Sequence, residues 1–201
     1  MRDLPLWWIT SRATGIVGYL ALTGAMVAGL ASKARLGQRA ASPLARLEWH
    51  KALSITGLVM VLAHVLTLLG SARNFSPTQL LVPGLMPYRP LWAAVGQVAF
   101  WALIVVAITG PMRARLGART WTAIHMTGYA VFVAATVHGL MIGTDSGRTV
   151  MLAVYIAAAA TVAALAARRL IAPPAPVRRS PRPTPETTSR QAESAAGSQT
   201  G

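Results

Sequence analysis

Of the chain's 201 residues, 54% are hydrophobic and only 12% are charged, with a mean hydropathy of +0.49; a soluble domain carries about a quarter charged residues, so a soluble globular protein is excluded. The sequence has no cysteine, which excludes disulfides, iron–sulfur clusters, thiolate metal sites and covalently attached c-type haem. A net charge of +14 does not point to nucleic acid, because the nineteen Lys and Arg residues fall in short clusters between apolar runs, as the positive-inside rule predicts for a membrane protein.

An all-α membrane bundle of five spanning helices is expected, since each crossing needs about 20 apolar residues. Residues 1–12 read as an interfacial segment outside the cell, 13–171 as the bundle, and 172–201 as a cytoplasmic tail. The first span runs from Ala13 to Ser32, and its small residues Gly18, Ala21, Ala25, Ala28 and Ser32 leave one face low enough for close helix packing. Lys33, Arg35 and Arg39 follow at once, so this run is not expected to be a cleaved leader. The second span is Glu48–Leu69. In the connection from Gly70 to Pro90, the apolar Leu80, Leu81, Val82, Leu85 and Met86 suggest a short segment that lies on the membrane surface or caps the bundle. Further spans follow at Leu91–Thr109, Trp121–Ile142 and Thr149–Leu170, with Gly and Pro in the connections. From Pro173 onward, Pro, Ser, Thr, Arg and Gln dominate without apolar periodicity, which predicts a disordered tail.

Counting Lys and Arg on alternate sides gives fourteen on one face and five, namely Arg2, Arg12, Arg73, Arg89 and Arg148, on the other. The asymmetry predicts an extracytoplasmic N-terminus and a cytoplasmic C-terminus in the cell membrane.

The four histidines carry the chemistry. His50 and His64 lie in the second span with thirteen residues between them, and His125 and His138 lie in the fourth with twelve. Ionisable side chains in lipid are costly and mark functional sites. On an ideal helix His50 and His64 share a face about 21 Å apart, too far for any single metal ion. The second and fourth spans run in the same direction, so His50 pairs with His125 near the cytoplasm and His64 with His138 near the outside. Such pairs suit two bis-histidine b haems, with all four histidines as axial iron ligands. Each imidazole's second nitrogen then needs an acceptor, for which a helical carbonyl or a hydroxyl such as that of Thr56 or Thr136 would serve. His125 and His138 come out about 140° apart on an ideal helix, so either the haems are offset laterally or the helix unwinds at Gly128 or Gly139. Anionic haem propionates call for cations at the interfaces. Arg12, Arg73 and Arg89 are candidates outside, with Arg12 foremost; Arg46, Lys51, Arg113 and Arg119 are candidates inside. The sequence assigns no site to a flavin.

The paired spacing resembles the ferric reductase-like transmembrane domain, the family of ferric reductases, NADPH oxidases and the haem-binding membrane subunit of the periplasmic methionine sulfoxide reductase system. Shorter matches are Ser11-Arg12-Ala13-Thr14-Gly15, Arg115-Leu116-Gly117-Ala118-Arg119-Thr120-Trp121 before His125, and His138-Gly139-Leu140 followed by Gly143-Thr144-Asp145. The resemblance covers about residues 7–170. It implies b-type haems and electron transfer across the membrane, as the electron-transfer subunit of an oxidoreductase. Larger relatives have six helices and often a C-terminal flavin and nicotinamide module, whereas this chain is expected to have five helices and only a tail. Its electrons are then expected from a separate cytoplasmic flavin reductase or a quinone, and are expected to pass to an extracytoplasmic protein or ferric iron. The rival reading is a non-redox membrane transporter or assembly factor that uses the histidines for a metal ion or protons.

Overall fold

The computed structural model describes residues 4–33, 42–70 and 75–171, and the first of its two compact units spans Met1–Ile171. The tail from 172 onward, expected to be disordered, lies outside the described residues, as does Arg73. The described residues form helices α1 (Leu4–Lys33), α2 (Pro43–Leu69), α3 (Pro77–Leu81), α4 (Pro90–Thr109), α5 (Arg113–Leu116), α6 (Ala118–Met126), α7 (Gly128–Ile142) and α8 (Thr149–Ile171), and no strand. Five stretches are long and apolar enough to cross a membrane: Leu6–Ser32, Leu44–Leu69, Pro90–Thr109, Ala118–Ile142 and Thr149–Ile171. This is a multi-pass membrane protein. Large aliphatic side chains such as Ile55, Val133 and Ile156 point outward, as lipid-facing positions require.

The helix starts follow local chemistry. α1 already runs from Leu4 in the described residues, about two and a half turns before the expected Ala13, and Pro5 is tolerated in a first turn, where no intrahelical acceptor is available for its missing N–H. The added turns also have an anchor, since Trp7 lies on Gly70 at the end of α2, where a Cβ would come within 2.7 Å of the indole. α2 starts at Pro43, capped by the Ser42 hydroxyl, which accepts from the Ala45 N–H at 3.1 Å. This is the usual serine cap followed by proline.

α1 and α2 pack antiparallel along nearly their whole length, and α1 also meets α8 and α7. Glycines permit the approach. A Cβ at Gly57 would come to 2.6 Å of Leu22, and one at Gly18 to 3.1 Å of Val61. α4 packs on α7. The end of the bundle where α1 begins and α2 stops is called the α3 end below.

The described part of the connection, 75–90, caps the bundle rather than lying flat on a surface. Ser76 and Gln79 form a reciprocal capping box at α3, which fixes its first turn. Leu80 and Met86 are buried with Phe75 and Ala93. Buried Gln97 of α4 donates through Nε2 to the carbonyls of Gln79 (2.6 Å) and Leu80 (3.0 Å), and Trp101 Nε1 donates to the Leu81 carbonyl (2.8 Å). Replacing Gln97 by Leu removes two donors from these carbonyls, and the expected cost is about 1–3 kcal/mol. Thermal unfolding in detergent reads it, with hydrogen exchange rising first in residues 77–82; unchanged exchange there would show that the strap does not hold α3.

The fourth span, Ala118–Ile142, has one irregular residue, Thr127. α6 stops at Met126, and α7 starts afresh at Gly128. At the joint Thr127 turns both its N–H (3.0 Å) and its hydroxyl (2.7 Å) back onto the Ile124 carbonyl. Of the two expected weak points, Gly128 is used and Gly139 is not. Gly139 serves close packing, since a Cβ there would come within 2.9 Å of Tyr155 Cζ.

Candidate functional site

The histidines sit on two helical tracks, α2 and α6–α7. The rings of His50 and His125 lie with centroids 5.9 Å apart and planes at 70°. His64 and His138 line one cavity at the α3 end. Both histidines of the fourth span thus lie near those of α2, despite the ideal-helix offset.

Three of the four rings are held in the same way. The Nδ1 of His50 faces the Ala25 carbonyl at 2.7 Å, that of His64 the Ser11 carbonyl at 2.7 Å, and that of His138 the Trp92 carbonyl at 2.9 Å. A carbonyl can only accept, so each of these nitrogens carries the proton, which in the neutral ring leaves Nε2 with its lone pair. The Ser11 hydroxyl lies 3.2 Å from the same His64 nitrogen, and Ser11 is almost fully buried. The acceptors are therefore backbone carbonyls, and the Thr136 hydroxyl pairs instead with Tyr19 Oη at 3.1 Å.

His125 is held differently. Its ring stacks on Trp121 (4.8 Å, 12°), over which the Arg113 guanidinium sits at 4.6 Å. Between the two levels, Tyr19 of α1 lies against Phe132 (5.9 Å, stacked) and Tyr155 (5.0 Å, tilted), which fills the middle of the bundle with aromatic rings.

The cavity holds about 250 Å³. One water takes about 30 Å³, so this is space for an organic group rather than a bare ion. Its walls are largely apolar, with Arg12, Tyr19, Gln97 and Tyr155 joining the two histidines. Among the described residues no three His, Cys, Asp or Glu side chains gather to hold a metal ion. Two imidazoles suffice when a porphyrin supplies the remaining ligands, and rings on opposite sides of one iron, each bonded at about 2 Å, stand roughly 6 Å apart. The His50–His125 spacing agrees with that, so the residues fit a haem.

Arg12, the foremost propionate candidate, lines the cavity and forms an ion pair with Asp145. Asp145 also takes Arg148 Nε at 3.4 Å, and its side chain is only 15% exposed. Arg89 caps α7 instead, donating to the Met141 carbonyl from a residue with φ of 46°. Lys51 pairs with Glu48 at 2.9 Å on the exposed surface. Sequence reasoning missed Asp145 as the partner of Arg12, and it missed Gly15, Gly29 and Gly96, which lie under three of the histidine rings. The signal for two of these was present, because Gly15 and Gly29 repeat the fourteen-residue step of His50 and His64.

Five crossings with imidazoles gathered at two heights define a polytopic helical membrane protein built around partly buried histidines. The family model described as ferric reductase like transmembrane component matches residues 14–136. The chain belongs to that family. The matched segment contains His50, His64 and His125 and stops just short of His138. No curated protein and no solved structure matches the chain.

Proposed function

We propose that the chain is a membrane b-type cytochrome with two bis-histidine haems, one between His50 and His125 and one between His64 and His138. It carries electrons across the membrane as a subunit of an oxidoreductase, and its α3 end faces outward. The observation that carries this reading is the meeting of α2 and α6–α7 histidines at two heights, with three of the rings turned so that Nε2 is unprotonated. Membership in a ferric reductase-like family supports it.

When bound, the haems supply one-electron oxidation and reduction. The protein's part is to present Nε2, to keep the proton on Nδ1, and to exclude water. Val61, Val65, Leu103 and Val131 wall the cavity around His64 and His138, and apolar walls of that kind raise the cost of stray charge. Arg12 offers a cation at the rim for a propionate while Asp145 balances it. Arg73, the other outer candidate, has the same proposed role. At the opposite end Arg113, Arg115 and Arg119 precede His125 in sequence, and their charge suits docking of an acidic flavoprotein donor; a membrane quinone is the other donor class. The acceptor at the α3 end is an extracytoplasmic protein or ferric iron.

Purified chain from haem-replete cells tests the reading. Pyridine haemochrome analysis should give two b haems per chain, and reduction by dithionite should give a six-coordinate low-spin spectrum. Colourless protein from such cells refutes the proposal.

A further inference from the structure

A helical carbonyl accepts from the N–H four residues later and keeps a second lone pair. That lone pair is normally screened, because Cα–Cβ bonds tilt toward the helix N-terminus and the side chain at i+4 covers the turn holding carbonyl i. A glycine at i+4 uncovers it. Each carbonyl bonded to a histidine here has a glycine four positions on: Ser11 with Gly15, Ala25 with Gly29, Trp92 with Gly96. Each glycine also lies beneath the ring that its carbonyl holds. A Cβ would come to 3.0 Å of His64 Nδ1 at Gly15 and 3.4 Å of His50 Nδ1 at Gly29. At Gly96 it would come to 2.8 Å of His138 Cγ and closer still to Nδ1.

The two sets on α1 are spaced to match α2. Ser11 to Ala25 and Gly15 to Gly29 are each fourteen residues, as is His50 to His64, and the helices are antiparallel. The same counting on α4, thirteen residues from Gly96 to match His138 to His125, arrives at Thr109. Its hydroxyl already occupies the Val105 carbonyl at 2.8 Å. No comparable socket exists there, and His125 rests on Trp121 instead.

We infer that Gly15, Gly29 and Gly96 are positioning residues that open the Ser11, Ala25 and Trp92 carbonyls to His64, His50 and His138 and thereby fix the proton on Nδ1 of each ring. This rests on the haem reading for its purpose but not for its geometry. The three glycines act through the histidines and touch no haem iron themselves. Their effects are graded by the room beneath each ring, greatest at Gly96, smaller at Gly15 and least at Gly29.

The test uses the full chain with Gly96→Ala, Gly15→Ala and Gly29→Ala. Gly18→Ala is the control, since its Cβ would crowd Val61 at 3.1 Å on the same helix pair without meeting a histidine. Haem per chain and the low-spin electron paramagnetic resonance signal are read on monodisperse protein. Gly96→Ala is expected to lose one of the two haems, Gly15→Ala to keep both with a shifted signal for one, Gly29→Ala to keep both with a smaller shift for the other, and Gly18→Ala to match the parent. Nitrogen-15 NMR of histidine-labelled protein without added haem is the second readout. It is expected to show three rings protonated at Nδ1, with one of these resonances moved by Gly15→Ala. If Gly18→Ala disturbs the haem signal as much as Gly15→Ala, or if the labelled rings are protonated at Nε2, the inference is overturned. Three Nδ1-protonated rings in a protein that binds no haem even when made in haem-replete cells would instead overturn the cytochrome reading and leave the sockets standing. If Gly96→Ala does not fold, Gly15→Ala and the labelled parent decide alone.

Discussion

Alanine at His64 and alanine at His138 are expected to remove the same haem, and alanine at His50 or His125 the other. Each single variant should fall from two haems per chain to one. The double variant His64→Ala/His138→Ala should retain as much as either single, whereas His64→Ala/His125→Ala should retain none. The pattern follows from the geometry, since His50 and His125 rings stand 5.9 Å apart while His64 and His138 share the cavity at the α3 end. The two levels are about 21 Å apart along α2, so no ring can serve both. Haemochrome stoichiometry on monodisperse protein checks it. A His64→Ala/His138→Ala double that loses both haems would show that the pairs are not independent, and the assignment of partners would fall.

The second large effect is expected at the rim of the cavity. Arg12 and Asp145 are joined by an ion pair, and among the described residues the other cation on Asp145 is the highly exposed Arg148. Arg12→Ala strands a carboxylate that is 15% exposed. Exposed pairs are worth at most about 1 kcal/mol and fully buried ones cost about 3–5 kcal/mol to break, so a loss of roughly 2 kcal/mol is expected for this partly covered pair. Asp145→Ala should cost a similar amount, and the double variant less than the sum of the two. Thermal unfolding in detergent closes that cycle, and strict additivity would show that the two side chains are not coupled. The pair also ties the first turns of α1 to the segment between α7 and α8, which are adjacent in space and more than a hundred residues apart in sequence.

That separation explains why the pair could not be read from the chain, while the spans could. A run of about twenty apolar residues admits few structures other than a crossing helix, and all five crossings lie where hydropathy placed them. The start of α1 was obscured because Thr10, Ser11 and Arg12 interrupt the apolar run. Those residues continue the helix because their polar groups are satisfied: Thr14 caps back to Thr10, the Ser11 carbonyl takes His64, and Arg12 takes Asp145. The mismatch of His125 and His138 was visible as an angle, but two glycines could have absorbed it. Gly139 proves to lie against Tyr155, and the irregular residue is Thr127, beside Gly128. The carbonyl acceptors were out of reach for a related reason. Backbone oxygens are present at every residue, so nothing in the side-chain alphabet marks the ones in use except the glycine that uncovers them.

α1 contributes no histidine, yet it supplies the oxygens that orient two of them. On the haem reading, a polypeptide trimmed of this first helix would keep all four proposed ligands and still present half of them with their protons free to settle on either nitrogen. Orientation of the proposed ligands is thus partly outsourced to a segment with no histidine of its own, and swapping that segment among homologues offers a route to retune one side of the proposed electron path without altering a single ligand.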